Sequence, residues 1–121
     1  MVTVLIIDDS SFQRKILTVL LKELGCEVIP ADNAEEGVTI AAGKKPDILI
    51  TDLLMPEKDG FWVLEQIGSR KLQIPVIILT SDIQTTTKER CFRMGAGAFL
   101  NKPVNKEEIH TAIRNALAGR K

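Results

Sequence analysis

Residues 3–11 read Thr-Val-Leu-Ile-Ile-Asp-Asp-Ser-Ser, and this stretch decides the fold. Its first five residues are β-branched or apolar, which is typical of a strand buried on both faces of a parallel sheet. The two aspartates break the run, and Ser10 or Ser11 can then accept the first hydrogen bonds of a helix. The stretch therefore predicts a buried strand that leads directly into a helix, which is the opening half of a β-α-β unit.

The same alternation continues along the chain. Apolar runs cover residues 3–7, 27–29, 47–51, 76–79 and 98–101, and a helical pattern follows each run. Helix caps are predicted at Asn33, with Glu36 three residues on, and at Asn105. In the first helix Phe12, Ile16, Val19, Leu20 and Leu24 recur at helical spacing; Gly25, Gly43 and Gly68 are predicted to end the first three helices. Five strands alternating with five helices predict an α/β fold, a parallel sheet covered on both faces.

Length and composition restrict the class of protein. The 121 residues fit a single domain, residues 1–121, in which residues 119–121 should fray. Lys plus Arg and Asp plus Glu both number 16, so the zero net charge argues against a broad nucleic-acid surface. No apolar run approaches the ~20 residues that span a bilayer, and no secretory signal begins the chain, so we expect a cytoplasmic protein. Cys26 and Cys91 are predicted to be buried free thiols.

Polar residues follow four of the apolar runs at the point where each run ends. Asp8 and Asp9 follow the first run, Asp52 the third, Thr80 the fourth and Lys102 the fifth. Because the carboxyl ends of parallel strands share one edge of the sheet, these side chains should converge. Three neighbouring carboxylates repel one another unless a cation neutralises them, and hard oxygen ligands at a partly open site suit Mg²⁺. Each residue alone has an ordinary explanation as a cap, a turn residue or a surface lysine; their conjunction predicts a site for a divalent cation and a phosphoryl group.

The same polar residues, with their neighbours in the sequence, also indicate a family. The sequence resembles the receiver domain of two-component response regulators, in its single-domain, CheY-like form, from residue 3 to about residue 117. The resemblance rests on Asp8-Asp9, on Thr51-Asp52-Leu53-Leu54-Met55-Pro56 with Gly60 following, on Thr80-Ser81 and on Lys102-Pro103. It implies a flavodoxin-like, doubly wound (βα)5 three-layer sandwich with strand order 2-1-3-4-5, an order that the sequence alone does not give.

The resemblance implies a role for each acidic residue. Asp52 would take a phosphoryl group from a histidine kinase or a histidine phosphotransfer protein. Asp9 and Asp52 would ligate Mg²⁺, or alternatively Mn²⁺, through their side chains, Leu54 through its backbone carbonyl, and Asp8 largely through water. The domain would catalyse only its own phosphorylation and slow dephosphorylation, so it is not expected to be an enzyme with a separate substrate.

Further residues would read out or tune the phosphorylated state. Lys102 would pair with the phosphoryl group, Thr80 would move inward to hydrogen-bond it, and the bond between Lys102 and Pro103 would be a cis peptide. Phe99 stands where the family often has a tyrosine that swings inward, but the chain contains no Tyr, so no phenol hydroxyl is available to a partner. Leu54 and Asp82 would tune the lifetime of the phosphoryl group through their effect on the attacking water, with a net direction that the sequence leaves open.

The partner and the output remain open at this stage. A downstream protein target is expected, with no direct nucleic-acid contact and no membrane insertion, and the resemblance implies a monomer or a weak dimer. Alternatives are a receiver excised from a larger response regulator or hybrid kinase, and a pseudo-receiver that is never phosphorylated. A flavodoxin would need a phosphate-binding loop where Asp8-Asp9 stands, and a haloacid-dehalogenase-like phosphatase would need a second Asp two residues after its first.

Overall fold

The computed structural model describes residues 1–119, in which five strands alternate with five helices. The strands are β1 Thr3–Ile7, β2 Glu27–Ala31, β3 Ile48–Thr51, β4 Val76–Thr80 and β5 Ala98–Asn101. The helices are α1 Ser11–Glu23, α2 Ala34–Lys44, α3 Gly60–Ser69, α4 Thr85–Arg93 and α5 Lys106–Ala118. None of these helices is both long and apolar enough to cross a membrane. Residues 120 and 121, on which most of the predicted fraying falls, lie outside the described residues.

All strand pairs are parallel, and the sheet order is β2-β1-β3-β4-β5. This confirms the doubly wound fold and the strand order that the family resemblance implied. Ile7 at the end of β1 pairs with Thr51 at the end of β3, so the residues that follow these two strands are neighbours. The order reverses between β1 and β3, and the crevice beside such a reversal is where ligands bind in open α/β sheets.

The strands bury both faces because alternate side chains point to opposite sides. Leu5 and Ile7 belong to one apolar cluster, which they share with buried residues of α2, α3 and α4. Val4 and Ile6 belong to the other, which they share with buried residues of α1 and α5. The predicted three-layer sandwich is therefore present, and the free cysteines Cys26 and Cys91 are buried as expected.

The predicted apolar face of α1 is wrong in detail. Leu17 and Leu21 are the buried residues of this helix, while Phe12 and Val19 are 69% and 61% exposed. Val19 is two residues from Leu17, which places it about 200° around the helix, on the far side. Phe12 lies in the first turn, beside the carboxyl edge of the sheet rather than over its centre.

The helix caps agree with the sequence, but two helix ends do not. The side chains of Ser10, Asn33 and Asn105 accept hydrogen bonds from backbone N–H groups of the first turns of α1, α2 and α5. Gly25 follows α1 with a φ of 80°. Gly43 and Gly68 were wrongly expected to end their helices: both lie inside them, and the left-handed residues beyond are Lys45, with φ 48°, and Lys71, with φ 55°.

Candidate functional site

The three acidic residues that follow β1 and β3 come together at the carboxyl edge of the sheet. Carboxylate oxygens of Asp8, Asp9 and Asp52 all lie within 4.8 Å of one another. Asp8 and Asp52 are buried, at 2% and 8% exposure, whereas Asp9 is exposed. The cluster is therefore anchored in the protein on one side and open to solvent on the other.

Lys102, which directly follows β5, bridges two of these carboxylates. Its ammonium Nζ lies 3.0 Å from Asp8 Oδ2 and 2.9 Å from Asp52 Oδ2. Burial lowers the pKa of Lys102, but the hydrogen bonds and negative charges of Asp52 and Asp8 outweigh this effect, so its pKa lies above the ordinary value. The lysine is positioned by its backbone N–H, which donates to Thr80 O at 2.8 Å. The peptide bond between Lys102 and Pro103 is cis, as the resemblance implied. One ammonium facing three carboxylates leaves the cluster with net negative charge.

The Asp52 side chain has a partner on each oxygen. Oδ2 accepts from Lys102, and Oδ1 accepts from the backbone N–H of Leu54 at 3.3 Å. The backbone N–H of Asp52 donates to Ile7 O at 3.1 Å, which continues the ladder between β3 and β1 past the end of the strand. The Leu54 side chain points away from the core and is 64% exposed. Asp52 is thus held by backbone hydrogen bonds and by the Lys102 ammonium, and the exposed apolar side chain of Leu54 lies nearby in the sequence.

Thr80 and Asp82 form a separate hydrogen-bonded group at the end of β4. The Thr80 hydroxyl is fully buried and accepts from the Asp82 backbone N–H at 3.3 Å. The Asp82 carboxylate accepts from the Gln84 backbone N–H and from the Thr87 hydroxyl, both at 2.9 Å. Among the described contacts, both Asp82 carboxylate oxygens are therefore engaged with the start of α4 and not with the acidic cluster.

Phe99 lies in β5 and pairs with Ile78 of β4. It is half-buried and packs against the apolar cluster on the α4 side of the sheet. The side chain thus occupies the layer between the sheet and α4, two residues before Asn101, which pairs with Thr80.

A comparison with known proteins identifies the family to which this site belongs. The sequence profile of the response regulator receiver domain matches residues 4–114. The chain is a member of the receiver domain family. Receiver domains are the signalling modules of two-component systems, and they generally bind Mg²⁺ at an acidic pocket of this kind.

Individual relatives support the assignment of this chain to the receiver domain family. Protein PilH of Pseudomonas aeruginosa is 38% identical over 121 residues, which cover 98% of this chain and 100% of PilH. The alkaline phosphatase synthesis transcriptional regulatory protein PhoP of Bacillus subtilis is 29% identical over 94% of this chain, which spans only 48% of PhoP. The solved structure of the Vibrio cholerae chemotaxis protein CheY4 matches with a TM-score of 0.90 at 28% identity, covering 97% of this receiver and 99% of that chain. The receiver thus matches the whole length of PilH and about half the length of PhoP.

The chemistry of the acidic cluster fits a magnesium ion. The donor set consists of hard carboxylate oxygens that follow two neighbouring strands, with Asp9 exposed to solvent. Mg²⁺ favours one or two carboxylates together with retained waters, which a half-open cluster allows. The receiver therefore has the residues that the ion requires.

Two residues of this region were missed by the sequence analysis. Arg14 of α1 donates from Nη1 to the backbone carbonyl of Asp8 at 2.6 Å. Asn101 at the end of β5 donates from Nδ2 to the carbonyl oxygens of Asp82, at 3.0 Å, and Thr80, at 3.4 Å. Asn101 directly precedes Lys102, so a second polar residue at that strand end was a usable signal. Nothing in the sequence marks Arg14, because a helix-surface arginine usually faces water.

Proposed function

We propose that residues 1–121 form one receiver domain that accepts a phosphoryl group on Asp52 from a histidine kinase or a histidine phosphotransfer protein. The observation that carries the proposal is the buried Asp52 carboxylate, 2.9 Å from Lys102 and inside a cluster of three carboxylates. Groups that are already fixed and aimed at the reacting atoms need little reorganisation when the reaction begins. Asp52 has this character, since both of its oxygens are held before a donor arrives.

In the proposed reaction, an Asp52 carboxylate oxygen attacks the phosphorus of a phosphohistidine. The new O–P bond gives an acyl phosphate while the P–N bond breaks, and the donor's imidazole keeps the electron pair and takes up a proton. The transfer is largely a matter of positioning and charge stabilisation. Lys102 supplies the fixed positive charge, because its ammonium already contacts Asp52 and can follow the charge onto the phosphoryl oxygens.

A divalent cation would complete the site. Asp9 and Asp52 would hold Mg²⁺ through their carboxylates, Leu54 through its carbonyl oxygen and Asp8 through a water molecule, and Mn²⁺ suits the same donors. When bound, the ion offsets the charge on the transferring oxygens.

The proposed switch begins with the negative charge and acceptor oxygens that the phosphoryl group adds. The Thr80 hydroxyl turns to donate to a phosphoryl oxygen, and Lys102 pairs with the group from the other side. Phe99 moves inward behind Thr80, on the side of the sheet that α4 covers. The altered surface around α4 then controls a downstream protein, with no phenol hydroxyl contributing to the contact.

Two residues are proposed to tune how long the phosphoryl group persists. Leu54 is exposed two residues after Asp52 and carries no polar group to hold an attacking water, which favours slow hydrolysis. Asp82 would repel or orient water at the same site through its negative charge. Its engagement with α4 supports a larger part in the switch than in hydrolysis.

We further propose a cytoplasmic protein that acts as a monomer or a weak dimer, without direct nucleic-acid contact and without a separate enzymatic substrate. Because the receiver spans about half of PhoP, a receiver within a larger response regulator or hybrid kinase is the alternative. A pull-down that compares phosphorylated with unphosphorylated protein would identify the partner.

Beryllofluoride with Mg²⁺, which mimics a phosphoryl group on a carboxylate, tests the proposal as a whole. We expect the amide NMR signals of Thr80, Phe99 and Lys102 to shift, because all three lie on the proposed path from Asp52. Signals at the carboxyl-terminal end of α2, which lies at the opposite edge of the sheet, serve as the internal control. Unchanged signals at all three residues would contradict the switch and would favour a pseudo-receiver.

The exposed carboxylate of Asp9 predicts opposite effects of one substitution with and without metal. Without Mg²⁺, Asp9→Asn should raise the free energy of unfolding by roughly 0.5–1 kcal/mol, because it relieves like-charge repulsion at a solvent-exposed position. With Mg²⁺ at about 100 times its dissociation constant, the wild type should gain about 2.7 kcal/mol and the variant much less. Urea denaturation with Mg²⁺ and with a chelator measures both effects.

The matched control is Asp32→Asn, since Asp32 is also exposed but lies outside the acidic cluster. This variant should keep the full stabilisation by Mg²⁺. Equal stabilisation of the Asp9→Asn variant and the wild type would rule out Asp9 as a ligand.

A further inference from the structure

Asp82 joins three parts of the molecule at the loop between β4 and α4. Its backbone N–H donates to the Thr80 hydroxyl, and its carbonyl oxygen accepts from Asn101 at the end of β5. Its two carboxylate oxygens accept from the Gln84 N–H and the Thr87 hydroxyl in α4. One residue therefore contacts the proposed switch threonine, the neighbouring strand and the first turns of the helix.

Helix α4 has few other contacts that hold it in place, so it depends strongly on the hydrogen bonds of Asp82. Its N-cap residue, Gln84, makes no side-chain capping hydrogen bond. The Asp82 carboxylate instead holds the start of the helix by accepting from the Gln84 backbone N–H and from the Thr87 hydroxyl. Cys91 is the only buried residue of α4, whereas α2, α3 and α5 each bury three or four. A helix with so little buried surface is held largely by its end contacts and is the element expected to open first.

We propose that Asp82 is the positioning residue that transmits a change at Thr80 into α4. The inference rests on the proposed phosphorylation of Asp52 and names the residue through which its effect reaches α4. When the Thr80 side chain rotates to bring its hydroxyl to a phosphoryl oxygen, the hydroxyl oxygen moves away from the part-buried Asp82 N–H, which then loses its acceptor. An unpaired donor of this kind costs free energy, so the loop moves to satisfy it. That movement withdraws the carboxylate from Gln84 and Thr87 and releases the start of α4.

Cys91 provides a reporter for the release. Its side chain is fully buried against the sheet, so a thiol reagent reaches it only when α4 opens, and Cys26→Ser removes the other thiol. Burial raises the pKa of the Cys91 thiol, the Arg90 charge partly opposes this rise and the Asp82 charge adds to it, so Asp82 itself is left unchanged in the test. Thr87→Val removes only the hydroxyl that donates to Asp82 and keeps the size of the side chain.

In the unphosphorylated protein, Thr87→Val should raise the labelling rate of Cys91 roughly fivefold, which is the effect expected from losing one hydrogen bond of typical net strength. Thr86→Val, at an exposed position in the same turn, should leave the rate unchanged. Thr87→Ser should restore the slow rate because it restores the hydroxyl. Equal rates for the Thr86→Val and Thr87→Val variants would overturn the proposal.

The coupling itself is tested with beryllofluoride and Mg²⁺. The ligand should accelerate Cys91 labelling several-fold when Thr87 is present and add little after Thr87→Val, because the start of α4 is already released. If beryllofluoride accelerates labelling by the same factor in the wild type and in the Thr87→Val variant, the two effects are independent. Thr80 and α4 would then be coupled by another route, and the proposal would be wrong. If NMR signals next to Asp52 shift but labelling does not change, this inference alone fails. If those signals do not shift either, the proposed function fails and the inference fails with it.

Discussion

Asp52→Asn should abolish incorporation of a phosphoryl group from acetyl phosphate and Mg²⁺, whereas the wild-type protein should approach one group per chain. The amide has nearly the same shape as the carboxylate, so the ladder contact of the Asp52 N–H with Ile7 O persists and the fold is retained. What disappears is the anionic oxygen that is proposed to attack phosphorus. An amide oxygen is a far weaker nucleophile, and the amide nitrogen is a donor facing the Lys102 ammonium. Intact-protein mass spectrometry measures the incorporation directly.

The matched control for this experiment is Asp32→Asn, which should be labelled as fully as the wild type. Labelling of the Asp52→Asn variant to the same stoichiometry would mean that another residue is the acceptor. A wild-type protein that takes no phosphoryl group, while Mg²⁺ still stabilises it, would favour the pseudo-receiver alternative.

Gly60→Ala should lower the free energy of unfolding by about 2–3 kcal/mol, because it places a methyl group where there is no room. The added Cβ would stand 2.5 Å from Asp52 O and 2.8 Å from Leu53 Cα, and both of these are backbone atoms that cannot rotate away. The Gly60 N–H also donates to Leu53 O at 2.9 Å, which ties the start of α3 to the segment that carries Asp52. The substitution should therefore displace Asp52 and reduce phosphoryl incorporation as well as stability.

Gly68→Ala in the same helix is the control, and it should change the free energy of unfolding in the opposite direction. Apart from its chain neighbours and the nearby backbone of its own helix, no heavy atom lies within 4 Å of its added Cβ. Alanine in a helix interior is favoured over glycine by roughly 0.5–1 kcal/mol, so this variant should be more stable than the wild type. Urea denaturation curves with unchanged slope measure both variants. A Gly60→Ala variant as stable as the wild type would contradict the close approach of α3 to residues 52–53.

The sequence predicted most clearly what depends on the order of residues along the chain. The strands are apolar on both faces and the acidic residues directly follow them, so the meeting of Asp8, Asp9 and Asp52 required only that the sheet be parallel. The strand order itself came from the family resemblance, because alternating strands and helices are compatible with several orders.

Features that depend on three-dimensional packing were not predictable in the same way. The first helix carries apolar residues on most of its circumference, so periodicity could not choose Leu17 and Leu21 over Phe12 and Val19 as the buried pair. Helix ends at Lys45 and Lys71 escaped prediction because glycine is the usual signal for a left-handed residue.

The hydrogen bonds of Asp82 were also beyond sequence reasoning. The acidic residue suggested an effect on water, but its partners depend on how the loop between β4 and α4 folds back toward Thr87. Residue type alone does not specify such a loop.

The bridge from Lys102 to the acidic cluster also bears on how the protein is made. Lys102 lies 94 residues after Asp8 and 50 after Asp52, so a chain emerging from the ribosome carries all three carboxylates long before their ammonium partner. Contacts between such distant residues form late, since loop closure must precede them. The nascent domain therefore holds its acidic residues without this ammonium partner until β5 joins the sheet, so the ion pairs of Lys102 are among the last contacts of the fold to form.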